Sequence, residues 1–98
     1  MQQNNDVFSN WICASYAMLR EREDIMMQRY MDLMCNVSYH EGVEASYSMH
    51  EGAGEYPHKD VLQEERDKLN PAREEYFKAR NQTNQMAHFM LSLLLINK

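Results

Sequence analysis

Apolar side chains recur at alternating steps of four and three residues in the first third of the chain. Residues 9–37 contain neither Gly nor Pro, and Ser9 is suited to cap the start of a helix. The repeating positions are Ile12, Tyr16, Leu19, Met26, Tyr30, Leu33 and Val37, and Glu23 is the one charged residue in the series. This spacing predicts a long amphipathic helix over about 9–37. Further apolar residues are expected to widen its buried stripe: Trp11, Met18, Ile25 and Met34.

The same alternation returns in the last third of the chain. Asn70 is suited to cap a helix and Pro71 to occupy its first turn. An uncharged series then follows, consisting of Ala72, Tyr76, Ala79, Thr83, Met86, Met90 and Leu93. It predicts a second long helix over about 71–97. Because both predicted helices are roughly 40 Å long and their spacing suits shallow-angle packing, the expected fold is an all-α hairpin.

The segment between the two stripes has a different composition. Residues 38–58 contain all three Gly and one of the two Pro, which predicts an irregular tract. A loop of this length is unusual in a compact domain, so we expect it to be functional or to contain a short helical turn over 43–49.

A short third helix is predicted near 60–69. Asp60 followed by Gln63 resembles a capping box, and the Asn70-Pro71 pair would end the helix. At 98 residues, the whole chain is expected to form a single helical domain, 1–98.

The stretch 89–96 is apolar at seven of its eight positions. As a helix it would be apolar on every side, and a two-helix hairpin cannot cover all of them. It is far shorter than the ~20 residues that span a bilayer, so no membrane span is expected. We therefore expect a homo-oligomer, a dimer or larger. The run would be divided between the chain's own core and a subunit contact, through Met90, Leu91, Leu93, Leu94, Leu95 and Ile96.

The charge and cysteine content indicate which partners and which cellular compartment to expect. A formal net charge of −5 argues against a protein that binds the nucleic-acid backbone through a basic surface. The N-terminal residues lack the basic and apolar segments of a signal peptide. Cys13 and Cys35 fall about 33 Å apart on one predicted helix, too far to bond to each other. We expect reduced, buried cysteines and a cytoplasmic protein.

Candidate chemistry concentrates in the middle tract. His40, His50 and His58 lie among Glu residues that can ligate zinc, but their spacing matches no compact metal motif. The chain also lacks a Gly-x-Ser-x-Gly elbow and a Gly-rich phosphate loop. The sequence therefore predicts no catalytic residues, no metal or cofactor site, and no enzyme.

The aromatic residues of the tract favour recognition instead. Tyr and His side chains stack and donate hydrogen bonds, as protein interfaces require, although they equally suit anchoring of a loop onto its helices. The residues that we assign to partner binding are Tyr39, His40, Tyr47, His50 and Tyr56.

Three functional hypotheses follow. The first is a non-catalytic interaction protein that self-associates and binds or occludes a partner protein, as an adaptor or inhibitor. Small acidic helical proteins of this type occur among viral and phage factors that inhibit host machinery, which is an analogy of type. The second is an oligomeric module for a metal or a nucleotide-like ligand, with Arg20, Arg22 or Arg29 binding an anionic group. The third, surface membrane binding through 89–96, is disfavoured because the polar face ends in amides rather than Lys or Arg.

Overall fold

The described chain folds into two helices joined by a turn. The structure, a computed structural model, describes residues 2–50 and 52–96, with side chains from residue 7 onward. Helix α1 spans Gln2–Ser48 and helix α2 spans Lys59–Ile96. The described residues form no strand. The helices pack against each other along their lengths, so the predicted all-α hairpin is confirmed.

The hairpin is a rod rather than a globule. It measures 79 × 19 × 15 Å, with a radius of gyration of 22.0 Å. A compact chain of this length has a radius of gyration near ~13 Å. We call the end with Val7 and Ile96 the open end, and the end with the turn 49–58 the closed end. Because the described rod has no third layer, side chains that do not lie between the two helices meet solvent.

A single seam of side chains joins the helices from one end of the rod to the other. On α1 it repeats at the four-three spacing and comprises Ile12, Tyr16, Leu19, Glu23, Met26, Tyr30, Leu33, Val37, His40, Glu44 and Tyr47. On α2 it comprises Leu62, Glu65, Leu69, Ala72, Tyr76, Ala79, Thr83, Met86, Met90 and Leu93. Each of these side chains is buried or half-buried. This is the seven-residue repeat of a coiled-coil seam.

Two polar residues of the seam are accommodated by local partners. Glu23 is buried, and its carboxylate accepts a hydrogen bond from the Arg20 guanidinium at 2.8 Å. The buried Thr83 hydroxyl lies 3.2 Å from the carbonyl oxygen of Leu19 and 3.0 Å from that of Ala79. Since buried polar groups without partners cost stability, these contacts let the seam continue through both positions.

The predicted irregular tract 38–58 is wrong over its first half, because α1 continues to Ser48. The seam carries on past Val37 with its spacing unchanged, but two of its next three positions are polar, so the apolar pattern ends before the helix does. Gly42 lies on the exposed face and does not interrupt the contact. The predicted start near residue 9 is also too late, since no Gly or Pro separates it from Gln2.

The predicted break between a short helix at 60–69 and a long one at 71–97 is also wrong, because α2 runs continuously through Pro71. A proline inside a helix leaves the carbonyl group four residues earlier without its N–H partner. Pro71 and Asp67 are both exposed, so water can reach that carbonyl. Leu69 and Ala72, on either side, both lie in the seam and hold the two halves of α2 against α1.

Substituting Gly42 by Ala is expected to raise the free energy of unfolding by about 0.5–1 kcal/mol, because Ala restricts the unfolded chain and favours a helix. An added methyl group at this position meets no atom within 4 Å. Gly52, in the turn, is the matched control: its φ of +76° disfavours any other residue, so Gly52→Ala should lower stability by ~1 kcal/mol. Urea denaturation measures both. A destabilising Gly42→Ala would contradict a helix that continues to Ser48.

Candidate functional site

Many large apolar side chains in the half of the rod nearest the open end are exposed to solvent. Trp11 and Met18 on α1 are 60% and 70% exposed, and Ile96 on α2 is 77% exposed. We define the open-end surface by its exposed apolar members: Val7, Phe8, Trp11, Met18, Ile25, Phe89, Leu91, Leu94, Leu95 and Ile96. The Phe8 and Trp11 rings stack within it, with centroids 6.2 Å apart. Large exposed apolar patches mark interaction sites on soluble proteins.

The C-terminal run contributes to this surface in two ways. Met90 and Leu93 are half-buried in the seam and line a hollow of about 210 Å³, together with Ile12. The other four predicted self-association residues are exposed, namely Leu91, Leu94, Leu95 and Ile96. The run is therefore divided between an intrachain face and an uncovered face. The subunit contact itself stays a prediction.

Several residues predicted to be buried lie outside the seam. The expected wider stripe is wrong, since these four residues are all exposed: Trp11, Met18, Ile25 and Met34. Cys13 and Cys35 are likewise exposed rather than buried. The physical reason is that α2 alone packs against α1, and one neighbouring helix covers only a narrow stripe.

Two of the five predicted partner-binding residues hold the turn at the closed end. The Tyr47 hydroxyl donates a hydrogen bond to the Ala53 carbonyl oxygen at 2.8 Å. Tyr56 is buried and meets the Tyr47 ring edge-on, with centroids 5.7 Å apart. His58 packs edge-on against Tyr56 in turn, at 5.8 Å. These contacts give Tyr47 and Tyr56 the anchoring geometry that was the alternative to direct recognition.

The other three residues lie at or near the surface of the closed end. Tyr39 is exposed on α1, and its ring packs edge-on against His40 at 5.6 Å. His40 is half-buried in the seam, whereas His50 is exposed in the turn. Tyr39 and His50 are therefore the members of the predicted set that a partner could contact without disturbing the hairpin.

Folding concentrates negative charge at the closed end. Residues 38–68 hold eight acidic and three basic residues, a net charge of −5, which equals the formal charge of the whole chain. The hairpin places the start of α2 beside the end of α1, as the Arg66–Glu41 ion pair at 3.1 Å shows. By contrast, residues 7–25 and 81–96 at the open end together carry a net charge of −1. The sequence places Glu residues among the histidines of the middle tract, but it does not show this contrast between the two ends of the rod.

The arrangement does not assemble the ligand site proposed from the sequence. Arg20, Arg22 and Arg29 lie at least ~15 Å along α1 from Tyr39. Each has its own partner: Arg20 contacts Glu23, Arg22 contacts Gln82, and Arg29 contacts Glu75. A groove of about 580 Å³ does lie beside Arg29, open to solvent, but its lining carries both signs of charge: Arg29, Lys68, Asp32, Glu64, Asp67 and Glu75.

Three further findings bear on function. Within residues 2–50 and 52–96, no group of three or more His, Cys, Asp or Glu side chains is placed to hold a metal ion. Neither helix, over the part of it that the structure describes, has a stretch both long and apolar enough to cross a bilayer. Comparison with known proteins found no matching family model, no matching curated protein and no matching solved structure.

Proposed function

We propose that this chain is a non-catalytic interaction protein that self-associates through its open end and binds a partner protein through its closed end. The supporting observation is the difference in surface chemistry along the 79 Å rod: ten of the large exposed apolar side chains lie in 7–25 and 81–96 and four in 38–68, which carries the net charge of −5. Binding of this kind either occludes a surface of the partner, as an inhibitor does, or links the partner to something else, as an adaptor does.

Self-association is supported by the thinness of the hairpin. Two helices alone bury a small core, comprising Ile12, Val37, Tyr56, Leu62, Ala72 and Ala79 among the apolar residues. Small chains with little buried area are only marginally stable, and association is a common remedy. The open-end surface offers the exposed apolar area that such an association requires.

Partner binding is supported by the chemistry of the closed end. A local net charge of −5 attracts a basic surface and accelerates its association. The exposed Tyr39 and His50 add groups that pack and donate hydrogen bonds at an interface. We therefore propose a partner with a basic, protein-type recognition surface, and binding that weakens as salt screens the charges.

Affinity capture from the native host tests the closed end as the binding site. The double variant Tyr39→Ala/His50→Ala should retain less than roughly a tenth of the captured partner, since truncating two central contacts commonly costs more than ~1.4 kcal/mol. Both residues are exposed, so circular dichroism should show an unchanged hairpin. Capture by the intact protein should fall as the salt concentration of the wash is raised.

The matched control is Phe77→Ala/His88→Ala, which removes one aromatic ring and one imidazole from exposed positions of α2 far from the turn. It should capture the same partner as the intact protein. Equal capture by all three proteins would exclude the closed end as the binding surface.

A further inference from the structure

We propose that a second copy of this chain packs against the α1 side of the open end, lying antiparallel, with α1 of one copy against α1 of the other. The two-fold axis passes between residues 16 and 17. This inference rests on the self-association in the proposed function and specifies its geometry. It is carried by a second repeating set of side chains on α1, separate from the seam that α2 occupies.

The second set, which we call the outer seam, comprises Phe8, Trp11, Ser15, Met18, Arg22 and Ile25. Successive members are separated by three, four, three, four and three residues. This is the spacing by which a helix packs against a neighbouring helix in a coiled coil. Helix α1 therefore has two such seams, and α2 fills only one of them. The partner that fits the outer seam is another helix with the same repeat.

The outer seam is complementary to itself when one copy is reversed. Phe8 then lies opposite Ile25 of the second copy, two large apolar side chains facing each other. Ser15 lies opposite Met18, a small side chain facing a long one, which is how packed layers interdigitate. Trp11 lies opposite Arg22, whose guanidinium can lie over the indole ring as a cation–π pair while it donates to Gln82 of its own chain.

Because the dimer has two-fold symmetry, each of these three pairs occurs twice in the contact. Sliding one copy by a seven-residue repeat in either direction leaves two outer-seam residues of each copy without a counterpart in the seam. Self-complementarity of one surface patch is what a two-fold dimer requires.

The distribution of charge selects this orientation over a parallel one. Residues 81–96 of α2 contain no Asp, Glu, Lys or Arg, so the overlapping ends bring little like charge together. The closed ends, each with a net charge of −5, come to lie at opposite tips of the dimer. Rods packed side by side in parallel would instead hold the two acidic ends against each other, which Coulomb repulsion disfavours.

The position of the axis fixes the overlap of the two rods and the length of the dimer. The axis lies about 22 Å from the start of α1 at 1.5 Å per residue, so the two rods overlap over about 44 Å. The contact is made by α1 alone, which with its side chains is about 10 Å wide, so each copy presents a footprint of roughly 440 Å². Each 79 Å rod extends ~57 Å beyond the axis, which gives a dimer about 115 Å long.

Light scattering and small-angle X-ray scattering on the full chain test this geometry. We expect a dimer of twice 11.7 kDa with a maximum dimension of about 115 Å, whereas a side-by-side parallel dimer would measure about 80 Å. The single Trp, at position 11, reports on the same contact. Its fluorescence should shift to the blue as the protein is concentrated, because dimerisation buries an exposed indole.

The variant Met18→Asp tests the outer seam itself. It places two carboxylates near the centre of the contact and should weaken dimerisation ~100-fold or more, since burying each carboxylate removes its hydration, which Arg22 one turn away does not replace. Met31→Asp is the matched control, with the same exposed residue type on the same helix beyond the outer seam, and it should remain dimeric. Loss of helix in Met18→Asp alone would also support the contact, because an exposed side chain has little effect within an isolated hairpin.

A monomer across the concentration series would overturn the inference, as would a dimer near 80 Å, a larger oligomer, or a Met18→Asp protein that dimerises like the control. These outcomes are separable from partner binding. A monomer that still captured a partner through Tyr39 and His50 would overturn the dimer and leave the closed-end site standing. A 115 Å dimer that captured nothing would support the dimer and remove the partner-binding half of the proposed function.

Discussion

Replacing Pro71 by Ala is expected to raise the free energy of unfolding by about 2–3 kcal/mol, because Pro is about 3 kcal/mol less favourable than Ala inside a helix. The substitution restores an N–H group that can donate to the Asp67 carbonyl oxygen. Part of the gain is lost because Ala leaves the unfolded chain more flexible than Pro does. Urea denaturation, with the midpoint and slope fitted together, measures the change.

Pro57, in the turn between the helices, is the natural control for Pro71. It interrupts no helix, so Pro57→Ala should lower stability by about 0.4–1 kcal/mol through the flexibility of the unfolded chain alone. A near-zero effect of Pro71→Ala would indicate that Pro71 opens a separate helix, as the sequence suggested, rather than lying within a continuous one.

Truncating Leu62 to Ala is expected to lower the free energy of unfolding by about 2–5 kcal/mol, the range for deleting a buried leucine side chain. Leu62 is 0% exposed and lies in the first turns of α2, where it secures the closed end. Domains are stable by only about 5–15 kcal/mol, so this loss is a large fraction of the total. Denaturant unfolding gives the magnitude, and amide hydrogen exchange should locate the loss near the turn.

The neighbouring residue supplies the control, because Val61 is 44% exposed and lies outside the seam. Val61→Ala should change stability by less than about 1 kcal/mol. Equal losses of stability in Leu62→Ala and Val61→Ala would contradict the position of Leu62 as the first residue of the seam on α2.

The pairing of the helices could be predicted from the sequence, but their ends could not. Apolar residues from Ile12 to Val37 and from Ala72 to Leu93 repeat so regularly that two helices and their contact follow directly. Outside these two ranges the seam continues through His40, Glu44 and Glu65. Because these residues are polar, a search for apolar repeats does not detect them. Without that repeat, Gly42 and Pro71 predict the ends of helices. In the structure, packing on both sides of each residue maintains the helix.

The candidate surfaces were predictable to different degrees. An apolar run at 89–96 in so short a chain indicated uncovered surface, and the structure leaves Leu94 and Leu95 exposed. The outer seam was not distinguished from the core, because periodicity shows which residues share a face and not how many neighbours cover that face. The concentration of acidic residues at the closed end could not be predicted from the sequence, because residues 38–48 and 60–67 come together only when the hairpin forms.

In a hairpin of two helices, the length of the rod depends directly on the number of residues in each helix. Arg22 meets Gln82 and Arg29 meets Glu75, so a seven-residue step along α1 is matched by a seven-residue step back along α2. Removing seven residues from each helix at matched levels would shorten the rod by about 10 Å and leave the remaining pairs in place. The spacing between the two ends can therefore change in evolution by paired seven-residue insertions or deletions, while the chemistry of each end stays as it is.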